Sequence, residues 1–345
     1  MNLPVKLWRI ARIFGGYRAR RETVDRLPIR LWVESCSACN LQCGMCPNKD
    51  LDVSEKGSLP FDLFRRLVDE VKGQVQDMYL HHRGEPFLNP ALFDMIRYAQ
   101  AAGIKTRFHS NGTLMDEVRA RALLDAGPDL VSFSVDGFEK QAYESVRVGA
   151  SFEKTLENIF RLLDLRRERG LRRPYIVIEK IIFNHPGAIP SAAQRAQAAA
   201  LARRFAEAGV DEVIEKAEYL WAGETAPEPA AGRQRAAVCT FPWYAAVVCR
   251  DGRVTPCPQD FHAKMVMGDL NHQTLGEIWN GPAYRALRHR QAHDLAALPL
   301  CRKCDRLHRK TVAGVPLQYM LTFLTDHLVG YNRRLRRWIG TAERN

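Results

Sequence analysis

"ESCSACNLQCGMCPNKD", residues 34 to 50, packs four of the chain's nine cysteines into eleven positions. Which of Cys36, Cys39, Cys43 and Cys46 act together decides both the fold and the chemistry. Cys39, Cys43 and Cys46 read C-x3-C-x2-C. Thiolates are soft, anionic ligands suited to iron–sulfur clusters and to zinc, and spacings this short let one loop wrap a single metal centre. The count of three is informative. A structural zinc site is normally closed by four ligands, whereas a 4Fe–4S cluster held by three cysteines leaves one iron open for an exogenous ligand. Cys36, three residues before the motif, is expected to be a buried structural thiol.

The chain around this loop has 345 residues and 46% hydrophobic composition, enough for a substantial core. Nothing at the start resembles a secretory signal: Met1 to Arg30 carries Lys and Arg at short intervals and no apolar run of membrane-spanning length. An odd number of clustered thiols without a leader points to a reducing cytoplasm and to metal or redox chemistry rather than disulfides. The net charge of +12 is concentrated at the ends. Residues 1 to 30 hold eight Lys or Arg against Glu22 and Asp25, and residues 301 to 345 hold ten against Asp305, Asp326 and Glu343. The middle is near neutral, which describes two basic arms and not a nucleic-acid groove.

Between the arms, short runs rich in Val, Ile, Tyr and Phe alternate with helical periodicity. The expected strands are residues 29–35, 75–82, 104–110, 130–136, 175–183 and 211–217. Pro60 and Pro90 mark helix starts, and Gly103, Gly127 and Gly209 mark helix ends. Six strand–helix units imply parallel pairing with right-handed crossovers, two units short of a closed eight-fold barrel. The expected fold is therefore α/β, a partial (β/α)6 TIM-like barrel over 29–217. Residues 218–238, rich in Ala, Pro, Glu and Gly, read as a linker. A smaller α+β unit follows at 239–308, flanked by a basic amphipathic arm at 1–28 and a basic helical tail at 309–345.

At this point the sequence resembles the radical S-adenosylmethionine (radical SAM) enzymes. The C-x3-C-x2-C loop directly after a first strand, with "CNLQC" and Met45 before Cys46, looks like their signature, and further motifs follow in the family's order. "RGEP" (83–86) resembles the GGE motif, whose backbone holds the methionine amino group; Gly84 and Glu85 match, and Arg83 stands in place of the first glycine. "SNG" (110–112), with Asn111, ends the third strand. "SFSVDG" (132–137) ends the fourth, where the family places ribose-contacting side chains, here Ser134 and Asp136. Glu179 and Lys180 on the fifth strand are expected to face a similar location. Residues at the C-terminal ends of parallel barrel strands are where active sites collect. The plainer readings are a turn pair at Ser134 and Asp136 and a loop at Glu85–Pro86.

The pattern Cys239-x17-Cys257-x43-Cys301-x2-Cys304, with "GDL" and "LGEIWNG" inside the long gap, resembles the SPASM and Twitch C-terminal domains of the same family. Full SPASM domains carry more cysteines and two auxiliary clusters. The resemblance here implies one auxiliary 4Fe–4S cluster closed by Cys239, Cys257, Cys301 and Cys304, with a zinc knuckle as the alternative. Cys249, on the strand leading into the Asp251–Gly252 turn, is left over; plain packing is the usual reading, and a hydrogen-atom donor for a radical epimerase is the other.

The resemblance implies a cluster-bound S-adenosylmethionine (SAM) cleaved to a 5′-deoxyadenosyl radical, hydrogen abstraction from a C–H, and dehydrogenation or epimerisation of the substrate. It also implies a flavodoxin- or ferredoxin-type electron donor. About 28 residues precede the first strand, which favours a sugar- or aminocyclitol-like small molecule over a peptide. A peptide-modifying maturase and a non-catalytic metal-binding protein are the rivals. The basic ends either meet an anionic membrane surface or an acidic partner, or cover the open side of the barrel with their basic faces wet; the second is preferred.

Overall fold

Short strands with one apolar face build the sheet. The computed structural model describes residues 3–182, 191–217 and 238–304, with 307, 311–312 and 315–316. After helix α1 (Leu3–Arg18) come the six expected strands: β1 (Arg30–Val33), β2 (Asp77–Tyr79), β3 (Lys105–Ser110), β4 (Leu130–Ser134), β5 (Tyr175–Ile182) and β6 (Glu212–Ala217). Each lies within its expected stretch, and all pair in parallel in chain order. Helical crossovers make this possible: α2 (Phe61–Val71), α3 (Leu92–Ala101), α4 (Glu117–Ala126), α5 (Lys140–Val146) with α6 (Phe152–Glu168), and α7 (Ala192–Glu207). Pro60 caps α2, and Gly127, left-handed at φ 60°, ends α4.

The free edge of β1 is taken by the cysteine-bearing C-terminal segment. There α8 (Phe241–Tyr244) leads into β7 (Ala245–Val248), which pairs in parallel with β1 from Arg30↔Ala245 to Val33↔Val248. Antiparallel β8 (Arg253–Thr255) and β9 (Gly268–Asp269) follow, giving a nine-stranded sheet of order β6-β5-β4-β3-β2-β1-β7-β8-β9 that does not close. Helices α9 (Leu275–Trp279), α10 (Pro282–His293) and α11 (Pro299–Arg302) complete this segment.

The two faces of the sheet differ. One, carrying Leu31, Val33, Met78, Leu80, Phe108, Val131, Phe133, Ile176 and Ile178, packs on the helices through Phe64, Val68, Ile96, Leu123 and Ile159 in one continuous core. Full burial of each such side chain stabilises by about 1.5–3 kcal/mol. The alternate positions hold Arg30, Trp32, Asp77, Tyr79, Arg107 and His109. At the N-terminal end of this second face, Arg30 grips Asp77 with two hydrogen bonds (2.6 and 2.9 Å), Arg107 joins at 3.3 Å, and Trp32 stacks on Tyr79 at 4.7 Å. This floor leaves the C-terminal strand ends for the site.

The expected N-terminal helix forms. Arg9 donates to the carbonyls of Gly73 and Gln74, and the Tyr17 hydroxyl donates to the Val238 carbonyl. Val5, Leu7, Trp8 and Phe14 stay exposed. The expected C-terminal helix and nearly all of the linker lie outside the described residues. Among the described residues, no helix is long and apolar enough to cross a membrane.

Candidate active site

The cysteine loop springs from the C-terminal end of β1. Cys36 is buried, in a bridge with Ser58 whose hydroxyl lies 3.8 Å from its sulfur. The loop beyond is pinned by backbone hydrogen bonds from Gln42 to Val148 and from Gly44 to Val146, and it turns on Cys46 N–H to Cys43 C=O. Burial pushes the Cys39 thiol up to about 12, with the charges of Glu85, Cys43 and Cys46 adding to it. Burial likewise raises Cys43 and Cys46, opposed at Cys43 by Arg147. Among the described residues no three His, Cys, Asp or Glu side chains close on a point that would hold a single ion. The three thiols instead stand in one another's field on one loop. A set of buried thiols fits an iron–sulfur cluster, because coordination deprotonates the sulfur and compensates it with metal charge.

The loop rests on residues 83–85. A Cβ added to Gly84 would lie 2.3 Å from the Ala38 carbonyl oxygen and 2.6 Å from that of Cys36, so only glycine lets the two backbones meet. Glu85 N–H donates to the Ala38 carbonyl, and the Asn48 amide bridges the carbonyls of Ser37 and Arg83 (2.7 Å each). The Glu85 carboxylate is buried and accepts from Ser110 Oγ (2.8 Å), Asn111 N (2.8 Å) and Phe87 N (3.2 Å). Burial raises its pKa despite these bonds. It thereby fastens the β2 end to the "SNG" turn, where the Asn111 amide reaches Asn40 at 3.0 Å and lies 4.0 Å from Cys39 Sγ.

The structure gives the strand-end polar residues these places. Ser134 is a hydrogen-bond partner of His109 Nε2, and Ser132 lies 2.7 Å from Nδ1 of the same ring. Glu179 Oε1 is 3.7 Å from His109 Nδ1, and its other oxygen accepts from Lys216 at 2.7 Å. Burial opposes ionisation of Glu179, but Lys216 and His109 hold its carboxyl well below the usual range. His81 Nδ1 accepts from the His109 backbone N–H, and burial pushes this imidazole well below its ordinary pKa. Lys180 does not join this group. Consecutive strand residues point to opposite faces, so Lys180 turns to Glu215 and the Phe138 ring while Glu179 turns inward. Asp136 accepts from Arg147 Nε (2.7 Å) and Ile181 N (2.8 Å), and the same guanidinium lies 3.9 Å from Cys43 Sγ.

His81, His109 and Lys216 escaped the sequence reading. The histidines share the face of Glu179 and Ser134, but only the strand register shows it, and the sequence does not supply that register. For Arg147, eleven residues beyond Asp136, no sequence signal existed.

In the C-terminal segment, Cys239, Cys257, Cys301 and Cys304 share one small cluster with Leu300 and Leu307. Burial pushes Cys301 well above its ordinary pKa, and the charges of Cys257, Cys239 and Cys304 push it further. Asp260 braces the adjoining loop, accepting from Lys264 N and Met265 N (2.8 Å each). Cys249, at the end of β7, has no exposed surface; burial raises its thiol, beside the charges of Glu34 and Arg83. No disulfide links any of the nine cysteines.

A three-cysteine loop on β1 of an open parallel sheet, with a second cysteine group on the same sheet, is the arrangement of a radical SAM enzyme, and the chain belongs to that family. The radical SAM superfamily matches residues 33–186 and the SPASM iron–sulfur cluster-binding domain matches residues 239–305, together more than half of the chain. Its cofactors are a 4Fe–4S cluster that binds SAM and an auxiliary iron–sulfur centre.

Among known proteins, the chain is 25% identical over 320 residues to the tungsten-containing aldehyde ferredoxin oxidoreductase cofactor-modifying protein of Pyrococcus furiosus, covering 80% of this chain and 86% of that one. It is 22% identical over 304 residues to the SAM-dependent 2-deoxy-scyllo-inosamine dehydrogenase of Niallia circulans, covering 84% and 97%. The crystal structure of BtrN in complex with AdoMet and 2-DOIA shares the fold, with a TM-score of 0.54 at 20% identity over 85% of this chain and 99% of that one.

Proposed function

We propose that this radical SAM enzyme dehydrogenates a small, hydroxyl- or amine-bearing ring compound of the sugar or aminocyclitol class. The observation that carries the reading is the polar group on the inner sheet face: His81, His109, Ser132, Ser134, Glu179 and Lys216 offer alternating donors and acceptors at the strand ends beside the cysteine loop. Such a face matches a molecule with several hydroxyl or amino groups better than an apolar one. The full-length similarity to a relative named as an aminocyclitol dehydrogenase supports the same class.

Cys39, Cys43 and Cys46 would hold the SAM-binding cluster, and Cys239, Cys257, Cys301 and Cys304 a single auxiliary one. When bound, these groups supply one-electron chemistry: SAM cleavage to a 5′-deoxyadenosyl radical that removes a hydrogen atom, and a sink for the remaining substrate electron. The residues of the chain position and exclude water. Gly84 and Glu85 set the loop, and Asn111, Ser134 and Asp136 line the strand ends where SAM would lie, Asp136 through Arg147. His109 accepts the proton of the oxidised hydroxyl, its ring held in place by Ser132, Ser134 and Glu179. A flavodoxin- or ferredoxin-type protein would deliver the initiating electron.

Dehydrogenation is favoured over epimerisation because Cys249, the one thiol outside the two cysteine sets and Cys36, has no exposed surface from which to return a hydrogen atom. The test is an anaerobic incubation of reconstituted enzyme with SAM and a panel of aminocyclitols. One 5′-deoxyadenosine per product two hydrogens lighter is expected. A product of the substrate's mass in ordinary water that gains one mass unit, as deuterium on carbon, in heavy water would overturn dehydrogenation, and turnover of a peptide in place of every ring compound would overturn the substrate class.

A further inference from the structure

Arg83 occupies the place of a glycine in the motif it resembles, and the structure gives that departure a purpose. Its guanidinium is almost wholly buried and grips Glu34, itself without exposed surface, through Nε to Oε1 (2.5 Å) and a terminal nitrogen to Oε2 (2.7 Å). Glu34 Oε2 also accepts from the Arg250 backbone N–H, directly after Cys249. The other terminal nitrogen of Arg83 reaches the Phe261 carbonyl at 3.4 Å. The preceding residue, His82, meets the Pro258 carbonyl at 3.1 Å, one residue beyond Cys257. The following residue, Gly84, carries the backbone of Cys36, Ser37 and Ala38 on its Cα. Three consecutive residues, 82 to 84, therefore touch the loop of one cysteine set on one side and the loop of the other on the other side.

We propose that Glu34, His82 and Arg83 form a buried strut through which the auxiliary cysteine loop sets the position of the SAM-facing cysteine loop, with Arg83 as its positioning residue. The bidentate geometry makes the strut directional, because a planar fork matches a carboxylate in one orientation only. Each member is the other's hydrogen-bonded counter-charge and both are buried, so the pair moves as a unit. Displacement of the Pro258–Phe261 turn would be passed to residues 82–84 and, across the glycine contact, to Cys36–Ala38. The inference rests on SAM binding at the first loop and is independent of the substrate.

The test is a double-substitution cycle on anaerobically reconstituted full-length protein, using Arg83→Gln, Cys301→Ala and both together. The measurements are SAM affinity by equilibrium dialysis, the electron paramagnetic resonance spectrum of the reduced SAM-binding cluster with and without SAM, and the melting temperature. Each single change is expected to weaken SAM binding about tenfold and to shift the SAM-induced spectral change, and the double change to be no worse than either alone. If Arg83→Gln lowers the melting temperature but leaves SAM affinity and spectrum within about twofold of wild type, the pair only stabilises the fold and the proposal is wrong. Losses that multiply would also overturn it, because the two sites would then act independently. Should Arg83→Gln fail to fold, Arg83→Lys keeps the charge but not the fork; a loss of about threefold in SAM affinity supports the strut, and wild-type affinity refutes it.

Discussion

Replacing Gly84 by alanine adds one methyl group at the point where two loops touch, and its effect can be worked from the coordinates. The new Cβ would sit 2.3 Å from the Ala38 carbonyl oxygen and 2.6 Å from both the Cys36 carbonyl oxygen and the Ser37 carbonyl carbon. A carbon and a carbonyl oxygen in contact rest at about 3.3 Å or more, so the cysteine loop must retreat by about 1 Å. The obstacle is backbone, which cannot rotate aside as a flexible side chain would. Overpacking of this size costs about 1–3 kcal/mol, which a domain of this size survives. A misplacement of about 1 Å at reacting groups, however, can cost on the order of 100-fold in rate. Gly84→Ala should therefore fold with wild-type circular dichroism, retain the auxiliary centre, and release 5′-deoxyadenosine from SAM about 100-fold more slowly. The assay is anaerobic reconstitution, iron quantification and timed chromatography of 5′-deoxyadenosine. A variant that cleaves SAM within about threefold of wild type would refute the packing argument.

Two further predictions follow from buried charge. Glu85→Ala strands the N–H groups of Asn111 and Phe87 in the core, at about 1–3 kcal/mol each; denaturant unfolding should show a loss of roughly 2–6 kcal/mol, and a loss under 1 kcal/mol would mean that the carboxylate is not their anchor. Burial holds His81 and His82 below their ordinary pKa, so the unfolded chain binds more protons. Stability should fall as pH drops through about 6.5, at up to ~1.4 kcal/mol per pH unit for each proton difference. Glu34 and Glu179, held low, remove further stability under acid below about 4.5, whereas Glu85, held high, opposes them just above that pH. His81→Asn, whose side-chain oxygen can replace Nδ1 as acceptor, should flatten the melting-temperature decline between pH 7 and 5; an unchanged slope would contradict the assignment.

The sequence made the strands legible because they are short runs rich in β-branched and aromatic residues, with buried pairs such as Val131 and Phe133 or Ile176 and Ile178, and because proline and glycine punctuate the helices. The grouping of Cys39, Cys43 and Cys46 was legible from spacing, and that of Cys239, Cys257, Cys301 and Cys304 from the family resemblance their pattern carries. Register was not. Without it, which of Glu179 and Lys180 faces inward could not be told, and His109 remained one polar residue among many. The pairing of β7 with β1 was equally hidden, since a strand of Ala, Ala, Val and Val announces burial but not its neighbour. Arg83 was visible only as a departure from a pattern; its partner Glu34 lies 49 residues earlier, and nothing local joins the two.

The central claim is that Cys39, Cys43 and Cys46 hold a SAM-cleaving cluster distinct from a second centre at Cys239, Cys257, Cys301 and Cys304. It is tested most directly by iron and 5′-deoxyadenosine measured together on anaerobically reconstituted protein, wild type against the Cys39/Cys43/Cys46→Ala triple variant. Two 4Fe–4S clusters predict about eight irons per chain in the wild type. The triple variant should retain about four, and reductant-dependent 5′-deoxyadenosine should form only in the wild type. Zinc in place of iron, or equal SAM cleavage by both proteins, would contradict it.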